Sequence, residues 1–294
     1  MGFSFSPSAQ NQSSHKLADW FLTAKPIAQP KLRLFCFPFA GGSPQAYFNW
    51  HQFLPASVEV SAICLPGRAQ RMAEQPLNSI EQMVQGLVPA LAPALVPVSK
   101  GKTQTPYVFF GHSMGATLAY ETMLELKRQG LPLPAHLIVS GRRAPSEHGQ
   151  ARNLSSLPKA QFIEALKNLE GTPKELLEHQ ELMELLEPIL RADFAAIENW
   201  RPKQHLPFNL PITAMGGTED HRVSLSQLAA WQEINQQKIS LKTYSGGHFF
   251  IQSQQDAVLK DLTHILEQIP QNTVSGDCSQ SNFDNTSFSS AAGM

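Results

Sequence analysis

Cysteine is scarce: Cys36, Cys64 and Cys278 are the three in a chain of 294 residues. They make neither an even disulfide set nor a metal-ligand spacing. Cys36 and Cys64 lie in apolar runs, where a thiol packs as a small hydrophobe, so a reducing cytoplasm is the expected compartment. Charge of neither sign prevails, with Lys+Arg 23 against Asp+Glu 24. That balance leaves no basic field for nucleic acid and no polybasic patch for a membrane surface. Long hydrophobic runs are also missing. The longest, Leu32 to Gly42 and Val108 to Phe110, fall well short of the roughly 20 residues that span a bilayer. The first residues hold no charged segment followed by an apolar one, so no secretory signal is expected. No Gly-x-x-x-x-Gly-Lys-Ser/Thr phosphate loop is present and no internal repeat. With no His/Cys/Asp cluster at ligand spacing, neither a metal nor an organic cofactor is expected.

What the chain does have is apolar content for a large core, 42% of its residues, and one stretch that organises the rest. Tyr107-Val108-Phe109-Phe110 runs into Gly111-His112-Ser113-Met114-Gly115, and a helical pattern follows from Ala116 to about Gln129. Strand, sharp turn and helix around Gly-x-Ser-x-Gly make up a nucleophile elbow, the hallmark of an α/β-hydrolase. Gly111 and Gly115 leave room for a strained turn that lifts the Ser113 hydroxyl above the sheet edge. The Met114 N–H then heads a helix and is open to a developing oxyanion.

Around the elbow, apolar runs alternate with helical patterns. Strands are expected at Leu32–Phe37, Val58–Leu65, His136–Ser140, Pro211–Met215 and Ile239–Tyr244. Helices are expected from Ser43-Pro44 (with Tyr47, Phe48, Trp50 and Phe53 inward), from Ile80 to Leu95 with a kink or interruption at Pro89 and Pro93, from Ser224 to Ile234, and from Ser253 to Ile269. This rhythm implies a mostly parallel sheet covered on both faces. It breaks from about 146 to 200, where three helical patterns (158–169, 173–186 and 188–199) carry apolar faces. These read as a helical lid over the site or as a fixed cap. Pro158, Gly171-Thr172-Pro173 and Pro188 are candidate joints. Residues 1–29 read as a loose leader, 30–270 as the hydrolase domain, and 271–294 as a polar tail unable to order itself.

A serine nucleophile needs a base, and the base an orienting acid. In this fold they follow in the order serine, acid, histidine, each on a loop after a later strand. Asp220, just past the strand at 211–215, is the candidate acid, with Glu219 as its neighbour and rival. Asp193 falls inside a lid helix. His248, in Ser245-Gly246-Gly247-His248, follows the last strand and is the candidate base, ahead of His221 and His264. His112 is expected to pack beneath the nucleophile. The loop Pro38-Phe39-Ala40-Gly41-Gly42 should supply the second oxyanion donor, the Ala40 N–H or else that of Phe39. The Phe39 ring is a candidate for substrate contact, in a pocket expected to be mostly apolar.

At this point the chain resembles the type II thioesterases of polyketide synthases and nonribosomal peptide synthetases. The likeness rests on Leu34-Phe35-Cys36-Phe37-Pro38-Phe39-Ala40-Gly41-Gly42-Ser43, Leu65-Pro66-Gly67-Arg68, the elbow itself, and Ser140-Gly141-Arg142-Arg143-Ala144-Pro145. It continues through Leu190-Arg191-Ala192-Asp193-Phe194, Gly217 to Asp220 and Gly246 to Phe250. Phe39 stands where such enzymes often have tyrosine, and the polar tails are not part of the pattern. The resemblance implies a lidded α/β-hydrolase that removes unwanted acyl groups from carrier-protein phosphopantetheine, with Ser113, Asp220 and His248 at the catalytic positions. An acyl or peptidyl carrier protein is then the expected partner, and a monomer the expected state. Arg68, Arg71, Arg142 and Arg143 are read either as contacts to an acidic carrier or phosphate, or as internal anchors. Two other readings share these residues: an esterase or lipase for oxygen esters, and a catalytically silent binding protein.

Overall fold

The computed structural model describes residues 19–95, 104–147, 153–169, 171, 177–203 and 207–270. The two tails beyond 19 and 270, Cys278, and the joint at Thr172-Pro173 lie outside these residues.

The described strands form one sheet: β1 (Phe21–Thr23), β2 (Leu32–Phe37), β3 (Val58–Ile63), β4 (Tyr107–His112), β5 (His136–Ser140), β6 (Ile212–Gly217) and β7 (Ser240–Tyr244). Their order is β1-β3-β2-β4-β5-β6-β7. Every pairing is parallel except that of β1 with β3. The α/β-hydrolase architecture expected from the alternation is therefore present. Strand residues part by alternation. Phe35, Phe37, Phe109, Leu137 and Val139 join one core cluster, while Leu34, Cys36, Val108, Phe110 and Ile138 join another on the opposite face. Both faces are covered, which is why β4 is buried at every position.

Two helices cover the first face: α1 (Ile80–Leu95) and α2 (Met114–Arg128), the helix that follows the elbow. Past the sheet's middle, α3 (Lys159–Lys167) and α4 (Gln180–Asn199) form the insertion, and α5 (Leu225–Ala229) follows β6. One turn, α6 (Phe250–Ser253), leads into α7 (Gln255–Glu267), whose apolar side covers the second face.

Four expectations need correction. The leader is not loose throughout, because Phe21–Thr23 pairs antiparallel with β3 and Trp20 is buried. The segment after Ser43 is a 3₁₀ helix, Pro44–Gln52. Its three-residue turn lines up Pro44, Tyr47 and Trp50 against the core and leaves Phe48 43% and Phe53 55% exposed. The helix at Ile80–Leu95 runs on through Pro89 and Pro93. Pro188, read as a joint, lies inside the single helix Gln180–Asn199. Burial of Met183, Ile189, Leu190 and Ala196 along one stripe holds that helix together across the missing amide.

Candidate active site

The elbow is as tight as its glycines require. Ser113 sits at φ 53°, ψ −116°, a conformation a side chain seldom adopts. A Cβ on Gly111 would stand 2.2 Å from the Gly115 carbonyl oxygen, and one on Gly115 would stand 2.2 Å from that of Phe37. Neither obstacle is a movable side chain. The Ser113 N–H donates to the Ser140 carbonyl at 2.8 Å, tying the turn to β5.

Three loops at the carboxyl ends of the parallel strands bring the candidate residues together, as open α/β sheets do with their ligands. His248 Nε2 lies 3.0 Å from Ser113 Oγ, and its Nδ1 lies 2.7 Å from Asp220 Oδ2. With Nδ1–H donating to the carboxylate, Nε2 is free to accept the serine proton. Asp220 Oδ1 accepts the backbone N–H groups of Arg222 and Val223, at 2.8 and 3.3 Å. Burial raises the Asp220 pKa. The hydrogen bond and charge of His248 and the two amides outweigh it, so the carboxyl ends below its ordinary value. Burial lowers the His248 pKa, and the charges of Arg222 and Arg142 add to the lowering against the raising pull of Asp220. The imidazole is thus held neutral, the form that can accept a proton.

The rivals fall away by position. Glu219 and His221 are exposed, and His264 faces solvent beside Gln268. His112 is fully buried, with its Nδ1 2.9 Å from Ser140 Oγ and its ring 5.1 Å from that of His248. Burial, then the neighbouring His248, drives its pKa well below the ordinary value. Asp193 lies elsewhere in the site altogether. It is buried against Arg68, whose Nη2 and Nη1 reach Asp193 Oδ1 and Oδ2, each at 2.8 Å.

That pair shapes the loop after β2. Asp193 Oδ2 accepts the Gly41 N–H at 2.7 Å, and Arg68 Nη1 donates to the Gly42 carbonyl at 2.9 Å. The Gly42 N–H turns back to the Phe39 carbonyl at 2.8 Å. Among the described residues, no hydrogen bond engages the N–H of Ala40 or Phe39. Met114, at the head of α2, likewise has an amide with no intrahelical acceptor.

Ser113, Met114, Phe39, Ala40, His248 and Phe249 line one side of a cavity of about 190 Å³, and Leu154, Leu166, Leu190, Phe194 and Ile197 from the insertion line the other. The apolar pocket expected from the sequence is only half the picture. Arg142, Arg143, Arg222 and Glu198 also line it. Of the arginines read as carrier contacts or anchors, Arg68 and Arg71 are internal. Arg71 pairs with Glu74 at 2.7 Å, donates to the Cys64 carbonyl, and lies 4.1 Å over the Trp20 ring. Arg143 donates to the Arg222 carbonyl.

Not every residue of the site had a signal in the sequence. Arg222 follows Asp220 by two positions and was legible as part of the same loop. Leu190 was legible among the apolar faces of the insertion; Glu198 was not, because only folding shows which polar side chain of α4 reaches the cavity.

A Thioesterase domain family model matches residues 32–266 of the chain. The gramicidin S biosynthesis protein GrsT of Aneurinibacillus migulanus is 39% identical over 232 residues, 79% of this chain and 88% of that protein. Thioesterase PikA5 of Streptomyces venezuelae is 34% identical over 248 residues, 84% of this chain and 85% of that one. Among solved structures, the type II thioesterase BorB from the borrelidin biosynthetic cluster superposes with a TM-score of 0.74 at 32% identity, over 84% of this chain and 97% of that one. With a serine on an elbow, an α/β sheet and these relatives, the chain belongs to the thioesterase family of α/β-hydrolases.

Proposed function

We propose that the protein cleaves acyl thioesters from the phosphopantetheine arm of an acyl or peptidyl carrier protein, clearing aberrant or stalled groups during polyketide or nonribosomal peptide synthesis. Ser113 attacks the thioester carbonyl while its proton passes to His248 Nε2. The Met114 and Ala40 N–H groups receive the oxyanion, and Asp220 holds the imidazole tautomer and steadies the imidazolium. Collapse expels the thiolate, which takes the proton from His248. Water then attacks the acyl-serine by the same path, with His248 as base.

The observation that carries this reading is the Ser113–His248–Asp220 relay, at 3.0 and 2.7 Å, opening into a cavity roofed by the insertion. The biosynthetic setting rests on relatives whose names place them in gramicidin S and borrelidin synthesis. All three relay residues come from one chain, so a monomer suffices. The free, buried Cys36 and Cys64 suit a reducing cytoplasm. Among the described residues, no helix is long and apolar enough to cross a membrane.

A hydrolysis panel tests the proposal. The same short acyl group is offered on a carrier protein, on N-acetylcysteamine and as a p-nitrophenyl ester. The carrier-bound thioester is expected to show the highest kcat/KM, because remote carrier contacts add binding that the small thiol lacks. Equal rates on carrier and small thiol would remove carrier recognition. A strong preference for the oxygen ester would make the protein an esterase.

A further inference from the structure

A guanidinium stays charged even when withdrawn from water, so a buried arginine is normally found against a carboxylate, a phosphate or several carbonyls. Others in this chain comply. Arg68 faces Asp193, Arg71 faces Glu74, and Arg33 faces Glu59. Arg142 does not. Among the described residues it forms no ion pair, and its Nε is buried with no hydrogen-bond partner. The contact its guanidinium does make is with a ring, 5.8 Å from the centre of Trp200.

Arg142 also lines the cavity that holds Ser113 and His248. It directly follows Gly141, where a Cβ would stand 2.6 Å from His112 Cε1 and 3.3 Å from His248 Cε1. Among the described residues, Arg143 and Arg222 line the same cavity, and Glu198, the carboxylate described in that lining, is already engaged. Its oxygens accept from the N–H of Leu154 at 2.5 Å, from the N–H of Ser155 at 3.2 Å and from Ser155 Oγ at 2.6 Å. Burial, then the neighbouring Arg143, brings the Arg142 pKa down to about 10, so the group stays cationic at neutral pH and has no ion-pair partner among the described residues.

We infer that Arg142 forms an anion subsite in the acyl pocket and takes acyl groups that end in a carboxylate, the monothioesters of short dicarboxylic acids such as malonyl or succinyl. The inference rests on the thioester-hydrolysis reading. The carboxylate is preferred to the pantetheine phosphate by position. Arg142 lines the cavity that holds Ser113 and His248, and its charge is felt at His248, whereas the phosphate sits at the far end of the arm. A carboxylate a few bonds beyond the carbonyl meets the guanidinium with a charge-assisted pair that a neutral chain of equal length cannot form.

The test uses the full chain and three N-acetylcysteamine thioesters: succinyl, its methyl ester, and butyryl. The wild type is expected to favour succinyl over the methyl ester by about tenfold or more in kcat/KM, the range of a hydrogen-bonded charge. In Arg142→Gln the succinyl-to-methyl-ester ratio should collapse to near one, and Arg142→Lys should retain part of it. Circular dichroism confirms that the variants are folded; should they not fold, the wild-type ratio alone decides. A wild type that prefers the methyl ester, or an Arg142→Gln ratio equal to wild type, overturns the subsite. Butyryl-pantetheine and butyryl-phosphopantetheine form a further arm. If Arg142→Gln affects the phosphorylated arm and leaves the succinyl preference, the anion is the phosphate and the carboxylate assignment is wrong. Absence of hydrolysis of every thioester overturns the thioesterase reading and this inference with it, whereas hydrolysis without charge preference overturns this one alone.

Discussion

Asp193 and Gly41 stand 152 positions apart in the chain, yet Asp193 Oδ2 accepts the Gly41 N–H at 2.7 Å. With Arg68 on the same carboxylate, the contact ties the insertion to the loop whose amides border the nucleophile. Asp193 is fully buried and Arg68 nearly so. Removing one partner of such a pair strands a charge, at a cost of about 3–5 kcal/mol. Asp193→Ala should therefore lower the denaturation midpoint far more than Asp220→Asn does. For kcat the ranking should reverse, with Asp220→Asn losing roughly 10³–10⁴-fold through the wrong imidazole tautomer. Chemical denaturation and steady-state kinetics on both variants check the crossing.

Ser113 is held at φ 53° for function and not for stability. Such strain costs on the order of 1–3 kcal/mol, and glycine tolerates the conformation where alanine does not. Ser113→Gly should abolish hydrolysis and melt above Ser113→Ala. Equal melting temperatures would mean that the elbow is relaxed.

Because His248 acts as the neutral base with a pKa lowered by burial and by nearby arginines, kcat/KM should be flat near pH 7. It should fall in acid with an apparent pKa below the ordinary histidine value of about 6.5. The Arg222 charge contributes to that lowering. Its removal in Arg222→Gln therefore raises the His248 pKa and moves the acid limb to higher pH. A pH–rate profile of both proteins reads the shift and its sign.

The two halves of α4 are fastened differently. Asp193 and Glu198 bind the second half to Gly41, Arg68, Leu154 and Ser155, while Leu182 and Leu185 in the first half are exposed. Pro188 also removes one ladder bond between them. Hydrogen exchange should be faster for residues 181–187 than for 190–198. Uniform protection along the helix would make the insertion a fixed cap.

At the other edge, Trp20 packs on Gly86, where a Cβ would stand 2.4 Å from the ring, and its carbonyl accepts the Cys64 N–H at 2.8 Å. Trp20→Ala should destabilise the fold by about 3–5 kcal/mol, measured by urea titration. An unchanged midpoint would return the segment before β2 to the status of a loose leader.

The six strands β2 to β7, the elbow, and the acid and base candidates were legible in the residues themselves, for a local reason. Leu32–Phe37 and Tyr107–His112 are short, nearly continuous apolar runs, as a strand covered on both faces requires, and Gly111 and Gly115 are demanded by a turn five residues long. The order Ser113, Asp220, His248 then follows from which strand ends face the same way. What tertiary structure alone decided are contacts between segments distant in sequence. Asp193, a plain helix position by its neighbours, becomes the anchor of the Gly41 loop because α4 folds back across the elbow. Arg68 and Arg142 are chemically alike and both sit just past a strand. One meets a buried carboxylate and the other meets none among the described residues, a difference set by the path of α4 and not by any local pattern. Trp20 likewise finds its place only once β1 adds to β3. Periodicity records which face of an element is buried, but not which other element buries it.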